Sequence, residues 1–569
     1  MGHSGLLGQR GYAAGLMALG LWAGATGAHA QERADLEQLQ ATTLALIDVM
    51  VENGLITRAK ADELLAKARA KAQAQIEAQQ RQAAATEVGK DGKKVVRVPY
   101  VPESVKAEMR DQIKQEVLAQ ARDERWGEPG ALPSWLNRFK FEGDMRLRYD
   151  LSRLDAGNTP PGEANYLSTD GLTRAADWLP SSAGGIPPGN TNDGFNRLRL
   201  RARLGITADV AQGVSAAMRL STGNLTDRTS TNQTLGQSFN KYQLVLDQAY
   251  VTIKPMQDRL TLRGGRMPNP FFSTDLVWAD DLGFEGVAGT WRSDTLRSSV
   301  TRNATGFVTA GWFPLTESRS GTTQSRSLLG VQGGLDLNLG RSDNRLKLGV
   351  ALYDYRNIEG EAETLERYQS ASDYVTRTEY GAGLRQRGNT LFRTNYAGLC
   401  GTTACDTSYR FGLASSFREV ALTASLDLVD VLPQRLMLTA EYVKNIGFDR
   451  DDILRRTGVN LTDGKDHGFL GRVQIGEPTI TKAGQWNASL TYRYLGSDAV
   501  LDAFTSSDFG LGGTNNKGFV LAGNYGLYDN TWVSVRWLSS NLIDSYAPGS
   551  SIDTKLSFDA LWFELNFRF

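Results

Sequence analysis

Histidine and cysteine are scarce in this chain: among 569 residues there are only His3, His29 and His467, and only Cys400 and Cys405. A multi-histidine metal site, a zinc ribbon and a disulfide-stapled scaffold are excluded on that ground. Charge of one sign is also missing, since Lys+Arg and Asp+Glu stand at 63 each. No general nucleic-acid-binding surface is expected from such a balance. Proline is low at 16 residues, whereas glycine is abundant at 60. Beyond the N-terminus no apolar run approaches the roughly 18 residues of a spanning helix, so a soluble fold or a β-barrel remains.

The N-terminus has the layout of an export signal. Arg10 precedes the apolar run Tyr12–Ala25, and "AHA" at 28–30 offers small residues for cleavage, leaving Gln31 as the expected mature start. An uncleaved anchor helix is the competing reading, but the run falls short of the roughly 20 residues that a span needs. With 1–30 removed, His467 is the one histidine left, in the polar turn-like stretch "DGKDHG". A serine or cysteine hydrolase would have to recruit it as base; an exposed loop histidine is the plainer reading.

Residues 31–130 read as helical. Leu36, Leu39, Thr43, Leu46 and Met50 form a stripe, and Thr57 is placed to cap "TRAKADELLAKA" after the break at Gly54. A helical hairpin and a short oligomerising coiled coil fit this pattern equally. A further helix is expected near 103–123, with Val105, Met109, Ile113 and Val117 along one side.

From about Trp135 to the end the period changes to two. In "FKFEGDMRLRYD", Phe139, Phe141, Met145, Leu147 and Tyr149 share one face with Gly143, and charged residues hold the other. In "NRLRLRARLGITADV", Leu198, Leu200, Ala202 and Leu204 alternate with Arg197, Arg199, Arg201 and Arg203. Such segments run about ten residues, the length of a tilted transmembrane strand. Sixteen can be placed, from 138–150, 195–210 and 214–222 through 411–428 and 435–445 to 556–569. Short and long connections alternate between them, so an all-β transmembrane barrel of about sixteen antiparallel strands is expected over 135–569. The terminal "LWFELNFRF" fits a last strand that closes on the first and holds Phe569 at the turn end.

Several stretches carry a family likeness: "LALIDVMVENGLITRAKADELLAKA", "RFKFEGDMRLRY", "NRLRLRARLGI", "LRGGRMPNPFFSTDLVWADDLGFEGVAG" and the terminal Phe569. Together they resemble the outer-membrane porins of Gram-negative bacteria, in particular a family distantly related to the phosphate-selective porins. The resemblance implies a non-enzymatic channel in the outer membrane, without cofactor or metal, assembled as a homo-oligomer such as a trimer among outer-membrane lipids. It further implies that Phe569 belongs to the signal read by the barrel-assembly machinery, and that the third long-side loop, Met267–Gly283, folds into the lumen.

That loop carries Asp275, Asp280 and Asp281, with Glu285 just beyond. The first two strands present Arg197, Arg199, Arg201 and Arg203, helped by Arg146 and Arg148. An acidic loop facing a basic wall sets a transverse field across a constriction, which favours small polar or charged solutes, with anions as candidates. Blander readings compete: a solvated loop or one weak calcium site for the acids, and structural ion pairs to Asp144 and Glu142 for the arginines. Cys400 and Cys405, in "CGTTAC", are expected to pair into a small loop clasp in an oxidising compartment, since CxxC spacing for redox chemistry is absent. Two other functions stay open. A barrel enzyme would lose lipid hydrolysis on mutation of His467, and an envelope tether would bind peptidoglycan through a periplasmic helical part at 31–130.

Overall fold

The computed structural model describes residues 136–159, 191–257, 259–294, 301–317, 325–339, 343–362, 378–381, 384–394, 411–429, 433–457, 465–544 and 555–569. The expected signal peptide, the helical region at 31–130 and the Cys400–Cys405 pair lie outside the described residues.

The first half of the barrel comprises β1 (Phe139–Leu154), β2 (Phe195–Ala211), β3 (Val214–Thr222), β4 (Gln233–Thr234), β5 (Leu244–Ile253), β6 (Leu260–Pro268), β7 (Gly283–Arg292), β8 (Thr301–Thr316), β9 (Arg326–Leu339) and β10 (Asn344–Arg356). There follow β11 (Leu391–Arg393), β12 (Phe411–Leu413), β13 (Arg418–Leu428), β14 (Leu436–Asn445), the helix α1 (Arg450–Thr457), β15 (His467–Gly476), β16 (Trp486–Leu495), β17 (Asn516–Tyr528), β18 (Thr531–Leu542) and β19 (Ser557–Arg568). Strands β11 and β12 pair only with each other, and the rest form one sheet of seventeen. One of these, β4, has two residues and lies beside β2 beyond the end of β3. The other sixteen run antiparallel in chain order, and β19 pairs with β1 from Asp144↔Arg568 to Leu154↔Phe558. The sheet is thereby closed and has no free edge.

Wall strands fall where the period-2 segments place them, with one correction. The segment expected at 411–428 starts at Arg418; Phe411–Leu413 leaves the wall to pair with Leu391–Arg393. The stretch "FGLASS" has no alternation to divide between two faces, so Phe411, Leu413 and Ala414 are buried together.

Burial is inverted relative to a soluble protein. Along β1, Phe141, Met145, Leu147 and Tyr149 are exposed while Arg146, Arg148, Asp150 and Ser152 are buried. Leu204, Val287, Trp312, Leu422, Leu490 and Trp537 continue the exposed apolar belt on other strands. Apolar surface costs about 25 cal/mol per Å² in water, so a belt around the whole wall is stable only against hydrocarbon. His467 sits in this outer surface, its ring stacked with those of Tyr442 and Tyr494 at 6.4 and 5.6 Å. That is an aromatic-girdle position.

The chain's last residue is tied down. The Phe569 N–H donates to the Gly143 carbonyl at 3.0 Å, and the Gly143 N–H donates to the Phe569 carbonyl at 2.7 Å. The Phe569 ring lies over Gly143, where a Cβ would sit 2.4 Å from a ring carbon. Glycine at 143 is what leaves room for the terminal ring against β1.

Candidate functional site

Between β6 and β7 the third loop, 269–282, enters the lumen and reaches the opposite wall. Its first turn is set by Asn269, whose side-chain carbonyl accepts the Phe271 N–H at 2.9 Å. Gln332 on β9 then holds the Phe272 backbone through both its amide groups, each bond at 2.7 Å. Across the barrel, Glu441 on β14 accepts from the backbone N–H and the hydroxyl of Thr274. Arg472 on β15 donates to Asp275 at 2.9 Å. Leu276, Val277 and Trp278 are buried among Phe284, Tyr353 and Phe504, with Trp278 4.9 Å from the Phe284 ring and 5.1 Å from that of Tyr353. The apolar half of "STDLVWADDLG" thus fills one side of the lumen and its acids border what remains.

Other loops fold in beside it. In the loop after β3, the Thr231 hydroxyl donates to Asp281 at 2.9 Å, and Asn232 accepts from Arg146 at 2.6 Å. In the loop after β16, Leu501 donates through its N–H to the buried Glu419 at 3.1 Å, and Ala279 donates to the Phe504 carbonyl at 2.8 Å. Residues 384–394 insert against that loop, with Thr390 bonded to Asp498 and Asn389 to the Ser497 and Val500 carbonyls. Only the third of these loops was expected inside; nothing in the polar stretches "TSTNQT" and "GNTLFR" marks them locally as interior.

The arginines divide sharply. Arg197 pairs with Asp150 at 2.9 Å, Arg201 and Arg203 share Asp144 at 2.9 and 2.7 Å, and Arg203 also reaches Asp281 at 2.9 Å. Arg148 is fully buried, bonded to Glu564 at 2.6 Å, 3.4 Å from Asp508 and stacked 3.9 Å over Trp562. Trp562, which interrupts the polar positions of the last strand, is therefore an interior residue. Arg146 is buried beside it, 3.7 Å from Glu564. Arg199 differs: among the described residues no hydrogen bond or ion pair reaches it, and its Nε is unpartnered. The carboxylates whose charge it feels are Asp508 and Asp227.

The acids divide as well. Asp281 is held below the ordinary carboxylate range: burial would raise it, and Arg201 and Arg203 overcome that. Asp508 is held well below it, with burial again outweighed by Arg148, then Arg146, Arg199 and Arg536. Asp280 is exposed to the lumen, where enclosure and then neighbouring Asp275 push its carboxyl up to about 6. Glu285 does not join them. It pairs with Arg266 at 2.6 Å and, by the alternation of β7, shares the side of Val287 and not that of Phe284 and Ala288. Asp150 and Glu564, not Glu142, complete the pairing of the arginine wall. Glu564 and Asp508 were not singled out from the sequence; Glu564 could have been, as a polar residue at an even position of the last strand.

A closed barrel with an apolar outer belt and a wet, charged lumen narrowed by infolded loops defines an outer-membrane channel for passive diffusion. The chain belongs to the family described as "Putative porin", whose model matches residues 40–569. Three solved structures are similar to it. The high-pH structure of Pseudomonas putida OprB is 11% identical, covering 76% of this chain and 95% of that one with a TM-score of 0.40. Salmonella typhi OmpF in complex with daunomycin is 9% identical over 76% and 97%, with a TM-score of 0.36. The outer membrane channel DcaP of Acinetobacter baumannii is 11% identical over 76% and 98%, with a TM-score of 0.34. No curated protein matches the chain in sequence.

Proposed function

We propose that the channel passes small polar and charged solutes with a preference for anions, and that Arg199 carries the preference. The supporting observation is that Arg199 alone in the ladder keeps its charge without a hydrogen-bonded carboxylate. The test is the zero-current potential of the purified channel in a planar bilayer under a salt gradient. An anion-selective sign is expected, and a cation-selective sign would reject the proposal.

Asp280 opposes Arg199 when ionised and is silent when protonated. Because its carboxyl titrates at about 6, lowering the pH through that value removes negative charge from the constriction. Anion preference should rise from about pH 7.5 to about pH 5. Asp280→Asn should hold the more anion-preferring value across that range. A wild-type potential independent of pH would contradict the assignment.

The oligomeric state follows from the family resemblance and is proposed as a trimer, checked by native mass measurement in detergent. Phe569 is proposed as the residue the assembly machinery reads. Phe569→Asp should leave export intact and lower severalfold the species that runs faster on gels before boiling than after. A normal amount of that heat-modifiable form would show that the terminal ring only covers Gly143.

A further inference from the structure

A cavity of about 240 Å³ lies on the long-loop side of the third loop, between it and the ends of β7, β8 and β9. Trp278, Phe284, Phe313 and Phe504 line it together with Leu328 and Ile358. The charged groups on its lining are Arg228, Arg266, Arg326 and Glu285. Glu285 neutralises Arg266, at 2.6 Å. Arg326 donates to the backbone carbonyl of Glu379 at 3.0 Å. Even with the Glu379 carboxylate counted, guanidinium groups outnumber carboxylates around an otherwise aromatic cavity.

We infer that this cavity binds small amphipathic organic anions, a single aromatic ring bearing a carboxylate, before they pass Arg199. The ring would lie against Trp278, Phe313 and Phe504, where burial is favourable and edge-to-face geometry is available. The carboxylate would face Arg228, and a cationic head would be repelled from the same place. The volume limits the solute to about one ring, since drug-sized sites run to roughly 300–1,000 Å³. The cavity is also continuous with the constriction through two loops. Leu282 lines it and follows Asp281, which holds Arg203; Arg228 lines it and follows Asp227, which lies beside Arg199.

This inference rests on the anion-preferring reading and names the solute class for it. The test uses the full-length channel in planar bilayers carrying chloride current, with benzoate, acetate and benzylammonium added in turn. Benzoate should reduce the current saturably, at a half-blocking concentration at least about tenfold below those of the other two, equivalent to the tenfold per ~1.4 kcal/mol of binding. Arg228→Gln and Phe504→Ala should each raise the benzoate value about tenfold, through loss of a charge-assisted bond and of ring contact respectively. Each variant is first checked for heat-modifiable gel mobility, so that a misfolded barrel is not scored. Benzoate acting no better than acetate would overturn the ring site, and benzylammonium matching benzoate would overturn the anion recognition. Block unchanged in both variants would place the binding elsewhere and overturn the assignment. Any of these in an anion-selective channel leaves the role of Arg199 standing, whereas a cation-selective channel rejects that role directly.

Discussion

Replacing Arg199 by glutamate should move the zero-current potential toward cations and reverse its sign at low salt. A unit charge acts on an ion at 6 Å with about 0.7 kcal/mol in water, so a change of two charges amounts to ~1.4 kcal/mol, about tenfold in the permeability ratio. Charges are screened over about 8 Å at physiological salt, which is why the effect should shrink as salt rises. Arg201→Gln is the informative comparison. Arg201 is tied to Asp144 at 2.9 Å and stands 3.9 Å from Asp281, so its loss should shift the potential less and chiefly loosen the third loop. Equal shifts in the two variants would mean that the ladder acts through its summed charge, and the particular role given to Arg199 would be wrong.

Glu441→Leu should raise single-channel conductance at least about twofold and make the open current noisier, because a sixteen-strand wall without its infolded loop encloses a wide lumen. Glu441 accepts the Thr274 N–H at 3.1 Å, the Thr274 hydroxyl and the Thr423 hydroxyl at 2.8 Å, all in a buried setting. Leucine leaves these donors without an acceptor, at about 1–3 kcal/mol for each that stays buried. The loop can recover that energy by moving Thr274 into water. Gln332 and Arg472 hold the loop at other points, so partial detachment is expected and not ejection. Thr423→Val removes one donor along with its hydrogen bond and should conduct like wild type. A wild-type conductance in Glu441→Leu would show that the buried Trp278 cluster alone fixes the loop.

Much of the wall was legible along the chain because alternation is a local property. Two residues per repeat send Leu198 and Leu200 to one side and Arg199 and Arg201 to the other, whatever the strand's neighbours are. The same rule sets the number of strands, the inward direction of all six arginines and the pairing that ties Phe569. Residues 411–413 departed from the expected strand for the same reason, since "FGLASS" has no period to hold it in a wall.

Alternation cannot say which inward charge meets which. Arg148 finds Glu564 across 416 positions of sequence, and Arg472 finds Asp275 across 197. Those meetings exist only once β19 closes on β1 and the loops fold in. The same holds for the infolding of residues 229–234 and 384–394, for the place of Asp508 among four arginines, and for the turning of Glu285 away from the other acids. The direction of each side chain is decided by its own backbone. Whether its charge is spent in an ion pair or left for a passing solute is decided by register and closure, which bring distant strands to one cross-section, and Arg199 is the residue that this arrangement leaves unpaired.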